Sequence, residues 1–289
     1  MIIARLLGGL GNQLFQYAAA RAVALRHGQE LRFDISGFAS LPGRSYRLDH
    51  FRIDGRPIEG KELRALGVEG LHFPWGRLKR KLGLRPAIPV ITEPHFHFDP
   101  RLEQAPAHCY LSGYWQSPRY FADIEPQIRQ EFQVRDPLSE NTRALAERIA
   151  ASESVAIHVR RGDYISNPTA ASVHGICGSE YYAAAERLLL ESRPGAQAFV
   201  FSDEPAWAAS NLRLSMPAAF VDHNPPDRDY EDLHLMAQCK HHIIANSTFS
   251  WWGAWLATNP HKFVVAPRGW FKGVDHRVDD LIPREWQRA

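Results

Sequence analysis

The stretch IHVRRGDY, residues 157–164, ends an apolar run in a histidine, two adjacent arginines, a glycine and an aspartate. Side chains alternate along a strand, so His158 and Arg160 share one face and Val159 takes the other. A strand-end arginine can hold two oxygens of a phosphate at once through its guanidinium fork. Arg161 points to the opposite face and is not equivalent to Arg160. The structural alternative is an ion-pair network of Arg160, Arg161 and Asp163, with His158 a satisfied core residue. Asp163 can hold Arg161 in place under either reading.

Other stretches offer related chemistry. GGLGNQ, residues 8–13, lies between an apolar run and a helical pattern. Gly9 and Gly11 let backbone N–H groups approach a ligand, and a helix N-terminus favours an anion. Asn12 and Gln13 add amide donors and acceptors at the same place. The spacing is not the dinucleotide fingerprint, and no Walker lysine follows. A tight βα turn is the alternative. NSTFSWWGAW, residues 246–255, sits at a second such junction. Ser247, Thr248 and Ser250 offer hydroxyls beside free N–H groups, which is either an anion cradle or helix capping. Phe249 can stack on a nucleobase, whereas Trp251, Trp252 and Trp255 read as helix packing. Asp203, in FSDE, can reach a ribose hydroxyl or a base, or cap a helix. Asp232 lies near a helix start. Asp227 and Asp229 form a D-x-D, but in a proline loop, which ranks metal binding low. Trp115 and Gln116, in GYWQS, are plausible contacts for a second substrate, with a packed aromatic corner as the equal alternative.

These residues need elements to position them. MIIARLL reads as a strand, LFQYAAARAVALRHG as a helix stopped at Gly28, and QELRFDI as a strand. Residues 36–110 are less regular, with KELRALG a short helix. CYLSGYWQS reads as a strand leading into a loop, and PRYFADIEPQIRQEF as a helix opened by Pro118. After Pro137 the pattern becomes nearly continuous β-α alternation. SENTRALAERIAAS opens it as a helix capped by Ser139, and KFVVAP closes it as a last strand. The fold class is therefore α/β, with two doubly wound halves, residues 1–138 and 139–289, and a cleft between them. A final helix is expected to pack back on the first half.

Composition narrows the partners. The chain has 289 residues and a net charge of +2, from 34 basic and 32 acidic side chains. That balance argues against a nucleic-acid protein working by bulk electrostatics, so an anionic ligand must meet a local cluster. Cys109, Cys177 and Cys239 are an odd number in no metal-ligand spacing, which favours a reducing compartment. No stretch has the pattern of a signal peptide or the length of a membrane span. The expectation is a soluble, cytoplasmic protein. The basic run RLKRKLGLR, residues 77–85, reads as a solvated face, or more sharply as a peripheral contact with the inner face of the membrane or with a glycan.

Taken together, GGLGNQLFQYAAARA, GYWQSPRYF, HVRRGDY, FSDE and DLHLMAQCKHHIIANSTFSWWGAWL resemble the α-1,2-fucosyltransferase family, in order and over nearly the whole chain. The resemblance implies a GT-B architecture of two Rossmann-like domains. It also implies transfer of L-fucose from GDP-fucose, with inversion and without metal or cofactor, to the 2-hydroxyl of a terminal galactose. The N-terminal half would face the acceptor, an oligosaccharide or glycolipid, with Trp115 and Gln116 as contacts. The C-terminal half would bind the donor. More distant likeness to core α-1,6- and protein-O-fucosyltransferases implies roles for matched residues. Arg160 would hold the β-phosphate and Asn12 would approach the diphosphate, together stabilising the leaving group. His158 would lie near the guanine, Asp232 would read it, and Thr248, Phe249 and Ser250 would wrap phosphates and base. Gly9, Gly11, Gln13, Arg161, Asp203, Asn246 and Ser247 complete the expected donor site. No general base is evident; Asp34, Glu93, Asp99 and Asp163 are candidates. A transferase for another nucleotide sugar, or a non-catalytic nucleotide- or glycan-binding module, are the alternatives.

Overall fold

The computed structural model describes residues 1–41, 43–71, 85–162, 175–272 and 278–289. Apart from Arg85, the basic run 77–85 lies outside them, as does Asp163. The chain forms two compact units, Met1–Phe132 and Gln133–Ala289. Elements are numbered here among the described residues.

The first unit begins with β1 (Ile2–Arg5), α1 (Leu10–Arg26) and β2 (Leu31–Asp34). β3 (Arg56–Pro57), α2 (Gly60–Ala65), β4 (Val90–Thr92) and β5 (Cys109–Ser112) follow, and α3 (Glu125–Glu131) ends the unit. The strands pair in parallel in the order β3-β2-β1-β5-β4. α1 is buried from Leu10 to Ala24 except at Asn12, as expected of a helix covered on nearly every side. Its buried Arg21 is answered by Glu131 of α3, at 3.0 Å from Nε and 2.8 Å from Nη2, and Tyr17 donates to the same carboxylate at 2.7 Å. Removing Arg21 would leave the Glu131 carboxylate buried without its cation, whereas Arg21 keeps a second partner in Asp54 at 2.8 Å. Gly28, at φ +59°, turns the chain out of the helix and donates to the Leu25 carbonyl.

The region 36–110 is less regular, with α2 at the KELRALG stretch; it also contains β3 and β4, which are too short and too closely bounded by prolines to show a period. One expectation fails here for a local reason. The stretch from Pro118 is not one helix. A 3₁₀ run, Pro118–Ile124, breaks at Phe121 (φ −131°, ψ 18°), and α3 starts afresh at Glu125. Pro126 has no N–H to continue a helix through it, and its ring would meet the carbonyl a turn earlier.

The second unit runs α4 (Glu140–Ala150), β6 (Ser154–Val159), α5 (Ser179–Ser192), β7 (Gln197–Ser202), α6 (Pro205–Asn211) and β8 (Ala218–Val221). Then come α7 (Asp229–Gln238), β9 (His241–Ile243), α8 (Thr248–Leu256), β10 (Val264–Ala266) and β11 (Gln287–Arg288). Its parallel sheet has the order β8-β7-β6-β9-β10-β11, the doubly wound arrangement. β6 is buried at all six positions, as a central parallel strand covered on both faces must be. Ser139 caps α4, accepting from the Thr142 N–H at 3.2 Å. Trp251, Trp252 and Trp255 pack inside. The expected final helix is absent among the described residues. The chain ends instead as β11, which extends the second unit's own sheet by pairing with β10, Val265 opposite Gln287.

Candidate functional site

In a doubly wound sheet, ligands bind beyond the carboxyl ends of the strands, where the strand order reverses. In the second unit that point lies between β6 and β9. His158 to Gly162 follow from β6, and Asn246 to Ser250 follow β9 into α8. The structure brings the two segments together: the rings of His158 and Phe249 lie 5.6 Å apart at 44°. His158 is 4% exposed, and its Nδ1 has no hydrogen-bond partner. Burial, reinforced by the Arg160 charge, holds its pKa down to about 3, so the ring is neutral at any working pH.

The residues after β6 are ordered by one carboxylate. Asp203, just past β7, accepts from the N–H groups of Arg161 (3.0 Å) and Gly162 (2.9 Å), and its Oδ2 lies 3.3 Å from Arg160 Nη1. A Cβ on Gly162 would stand 2.7 Å from that oxygen, so only glycine allows the clasp. Asp203 thus serves as the scaffold of this turn, with lone pairs and part of its surface left over. Arg161 is engaged elsewhere. Its guanidinium lies over the Trp207 ring at 3.4 Å from the centroid and meets Glu204 at 3.3 Å, which fixes it to α6. Arg160 keeps a partly exposed guanidinium at the strand end.

Across the reversal, Ser247 precedes α8, and its hydroxyl takes no part in a cap. Thr248 and Phe249 are part-exposed beside it. Asn246 and Ser250 are not available as expected. Asn246 is 1% exposed and donates to the carbonyls of Gly175 (2.7 Å) and Trp270 (3.1 Å). Ser250 is fully buried and donates to the Ser247 carbonyl at 3.2 Å. Both shape the junction from inside. On α7, Asp232 accepts from Asn224 Nδ2 at 2.7 Å. Burial pushes its carboxyl up to about 7 against the pull of that hydrogen bond, with Asp229 and Glu231 adding to the rise. Its partner Asn224 gave no sequence signal. Asp227 is exposed, and among the described residues no three His, Cys, Asp or Glu side chains are grouped to hold a metal.

The first unit's reversal lies between β1 and β5. Gly9 precedes α1, and Gly8 before it has φ +78°. A Cβ on Gly8 would meet Asn12 Nδ2 at 2.5 Å. Asn12 Oδ1 accepts from Gln116 Nε2 at 3.1 Å, joining the segments that follow the two strands. Gly11 is buried within the first turn of α1. Gln13 is fully buried and serves the scaffold instead of a ligand. It donates to the carbonyls of Gly8 (3.1 Å) and Ser45 (2.8 Å) and accepts from the Arg47 N–H (3.0 Å). Trp115 is also corrected. It is 1% exposed, at φ +55°, and edge-on to Tyr120 at 5.7 Å, the packed corner of the two readings. Gln116 is 7% exposed.

Of the candidate bases, Asp34 accepts from the Tyr110 hydroxyl (2.5 Å) and the Ser36 N–H (3.0 Å), and is 2% exposed. Asp99 caps a 3₁₀ turn, and the Arg101 side chain holds its carboxyl below the usual range. Glu93 accepts from the N–H groups of Tyr114 (2.7 Å) and Trp115 (2.9 Å). Burial nevertheless pushes its carboxyl above the usual range. That carries Glu93 closest to the behaviour of a base.

The sequence profile of glycosyl transferase family 11 matches residues 99–287. An alpha-1,2-colitosyltransferase of Escherichia coli is 33% identical over 300 aligned residues, covering 100% of this chain and 98% of that one. A galactoside alpha-(1,2)-fucosyltransferase 1 of Alouatta caraya is 27% identical, over 86% of this chain and 63% of that one. Among solved structures, NodZ alpha-1,6-fucosyltransferase soaked with GDP-fucose superposes with a TM-score of 0.52 at 18% identity, covering 88% of this chain and 91% of that one. POFUT1 in complex with GDP gives 0.50 at 14%, over 92% and 97%. The likeness to these structures is one of fold: the GT-B type of two Rossmann-like units.

Proposed function

The chain belongs to glycosyl transferase family 11, and on that premise we propose that it transfers L-fucose from GDP-fucose to the 2-hydroxyl of a terminal galactose, with inversion and without metal. The observation that carries the reading is the end of β6. There Asp203 holds the 160–162 turn so that Arg160 stands, part-exposed, at the point where the strand order reverses.

The chemistry follows from the charge that must move. As the acceptor hydroxyl attacks the anomeric carbon from the face opposite the diphosphate, the C–O bond to the β-phosphate breaks, negative charge gathers on GDP, and the hydroxyl's proton is released to water or to the departing phosphate. Arg160 meets that charge, and the N–H groups at the start of α8 lie on the other side of the reversal. One preorganised donor of this kind contributes about 3–4 kcal/mol to the transition state. Neutral His158 adds no charge and packs against Phe249, giving the base a flat apolar neighbour. Asp232, held by Asn224, offers a carboxylate to the N–H edge of guanine. Asn12, tied to Gln116, stands at the mouth of the first unit, on the side read here as facing the acceptor.

A second reading concerns the sugar. The whole-length relative at 33% identity is named a colitosyltransferase, so a deoxygenated relative of fucose is a competing donor. The test is incubation of the purified protein with GDP-fucose, or with GDP-linked deoxy relatives, and a panel of galactose-terminated oligosaccharides. GDP release and product mass are recorded with and without EDTA. Acceptor-dependent fucosylation, unchanged by EDTA, is the expected result. Turnover only with another sugar nucleotide would replace the donor, and a strict divalent-metal requirement would return attention to Asp227 and Asp229. GDP binding without turnover on any acceptor would favour a binding module.

A further inference from the structure

Arg5 ends β1, the central strand of the first unit, where the strand order reverses towards β5. Its register partner on β2 is Asp34. That carboxylate acts on Arg5 through space, but one of its oxygens accepts from the Tyr110 hydroxyl and the other from the Ser36 N–H. Among the described residues, no carboxylate lies within ion-pair distance of the Arg5 guanidinium and nothing accepts a hydrogen bond from it. The side chain is half-buried, and burial holds its pKa below the ordinary arginine value. A charged group taken partly out of water without an acceptor is costly, and the guanidinium has five donors to satisfy.

Arg5 Nη2 lies beside Gly37, 4.0 Å from where a Cβ would stand. The Tyr114 phenol, after β5, is within electrostatic reach of Arg5, Arg44 and Glu93. Arg44 lies against Gly9 at the head of α1. Glu93, the acid of this group, already receives two backbone N–H groups. Asp34 and the Tyr110 and Tyr114 phenols act on Arg5 only through space, so among the described residues its guanidinium donors have no acceptor.

We propose that Arg5 is a specificity-determining residue for an acidic acceptor: the glycan received by this unit carries a carboxylate that the Arg5 fork binds in place of Asp34. The proposal rests on the reading above that the first unit faces the acceptor. A monoanionic carboxylate matches one guanidinium in charge and in the spacing of its two oxygens. An acidic sugar beside the terminal galactose is the substrate class that follows.

The test compares two oligosaccharides with the same terminal galactose, one neutral and one with a hexuronic acid as its neighbour. Wild type, Arg5→Gln and Arg5→Lys are assayed for transfer, and for donor-free binding by calorimetry. The expected result is a preference for the acidic acceptor of about tenfold or more in wild type, the usual scale of a charged hydrogen bond. Arg5→Gln should abolish that preference while changing the neutral acceptor by no more than about twofold, and Arg5→Lys should keep part of it. Equal losses on both acceptors would overturn the proposal in favour of contacts to neutral hydroxyls. Weaker GDP binding in Arg5→Gln would assign Arg5 to the donor instead, and a lowered melting midpoint in both variants would make it structural. Donor-free binding separates this idea from the function beneath it. Binding of the acidic glycan that depends on Arg5 supports the proposal even if no fucose is transferred, and absence of such binding sinks it even if transfer occurs.

Discussion

The two units place comparable parts at comparable points, yet they build them differently. Each has a central parallel strand, a reversal of strand order beside it, and a helix start next to the reversal. In the first unit the parts are knitted by neutral amides: Asn12 to Gln116 across the reversal, and Gln13 to the backbone at Gly8, Ser45 and Arg47. In the second they are held by charge, with Asp203 clasping the Arg160–Gly162 turn. An amide scaffold orders a loop without creating a strong field. A carboxylate-clasped arginine is already oriented, and stands in a part-dry setting where its charge counts for more than in water. The first arrangement suits an acceptor recognised in its ground state, its neutral hydroxyl beside the fixed carboxylate proposed for Arg5; the second suits a developing anion.

The most severe test of that contrast is Arg160→Lys. Lysine keeps the charge but loses the fork and its fixed plane. The expected loss is about 100- to 1,000-fold in kcat with GDP-fucose, the range for one preorganised donor, with the melting midpoint nearly unchanged. Near wild-type turnover would remove Arg160 from the phosphate. Asp203→Asn should do double damage, since one of the two N–H groups it holds would then face an amide NH₂. A loss of about 1–3 kcal/mol in stability, read from the urea midpoint, should accompany the fall in rate. If stability fell and the rate did not, the clasp would be scaffold alone.

A smaller effect is expected from pH. The Asp232 carboxyl is pushed up to about 7 in the fold. Between the ordinary aspartate range and about 7, the folded chain holds a proton that the unfolded chain has released, so this group's contribution to stability falls as pH rises through that window. GDP binding should move the other way if the carboxylate reads guanine. Affinity should rise up to about tenfold per unit below pH 7 and level off above it. Calorimetry on wild type and Asp232→Asn separates this from titration of the phosphates, which both proteins share. A slope unchanged in the mutant would detach Asp232 from the base.

How much of this was legible in the sequence depends on the kind of signal. Long elements were: α1, α4 and β6 announce themselves by apolar pattern and by Ser139 and Gly28 at their ends. β3 and β4 did not, because strands of two or three residues between prolines carry no period. At the sites, motifs revealed which segments meet but not which atoms are free. NSTFS marks a helix start, yet only the packing tells that Asn246 and Ser250 turn inward while the Ser247 hydroxyl takes no part in a cap. HVRRGD marks two arginines, and alternation separates them. That Trp207 and Glu204 hold Arg161 depends on α6, forty residues further on. Asn224 and Arg5 were missed because neither belongs to a motif; the first is defined by its partner and the second by lacking one.

The gentlest test addresses the amide scaffold. Gln116→Ala removes the partner of Asn12 Oδ1 while leaving the Asn12 backbone N–H bonded to the Gly9 carbonyl at 3.0 Å. Asn12 stays in place as part of α1, but its side chain loses this tether. If the first unit only positions the acceptor, the cost is one neutral hydrogen bond, about 1 kcal/mol, or roughly a fivefold rise in KM for the acceptor. GDP affinity should not move. Asn12→Ala in the same background should then add little, because two residues acting through one contact are not additive. A large additional fall in kcat would mean that Asn12 meets the leaving group directly, and that the neutral scaffold takes part in the chemistry which the contrast assigns to the second unit alone.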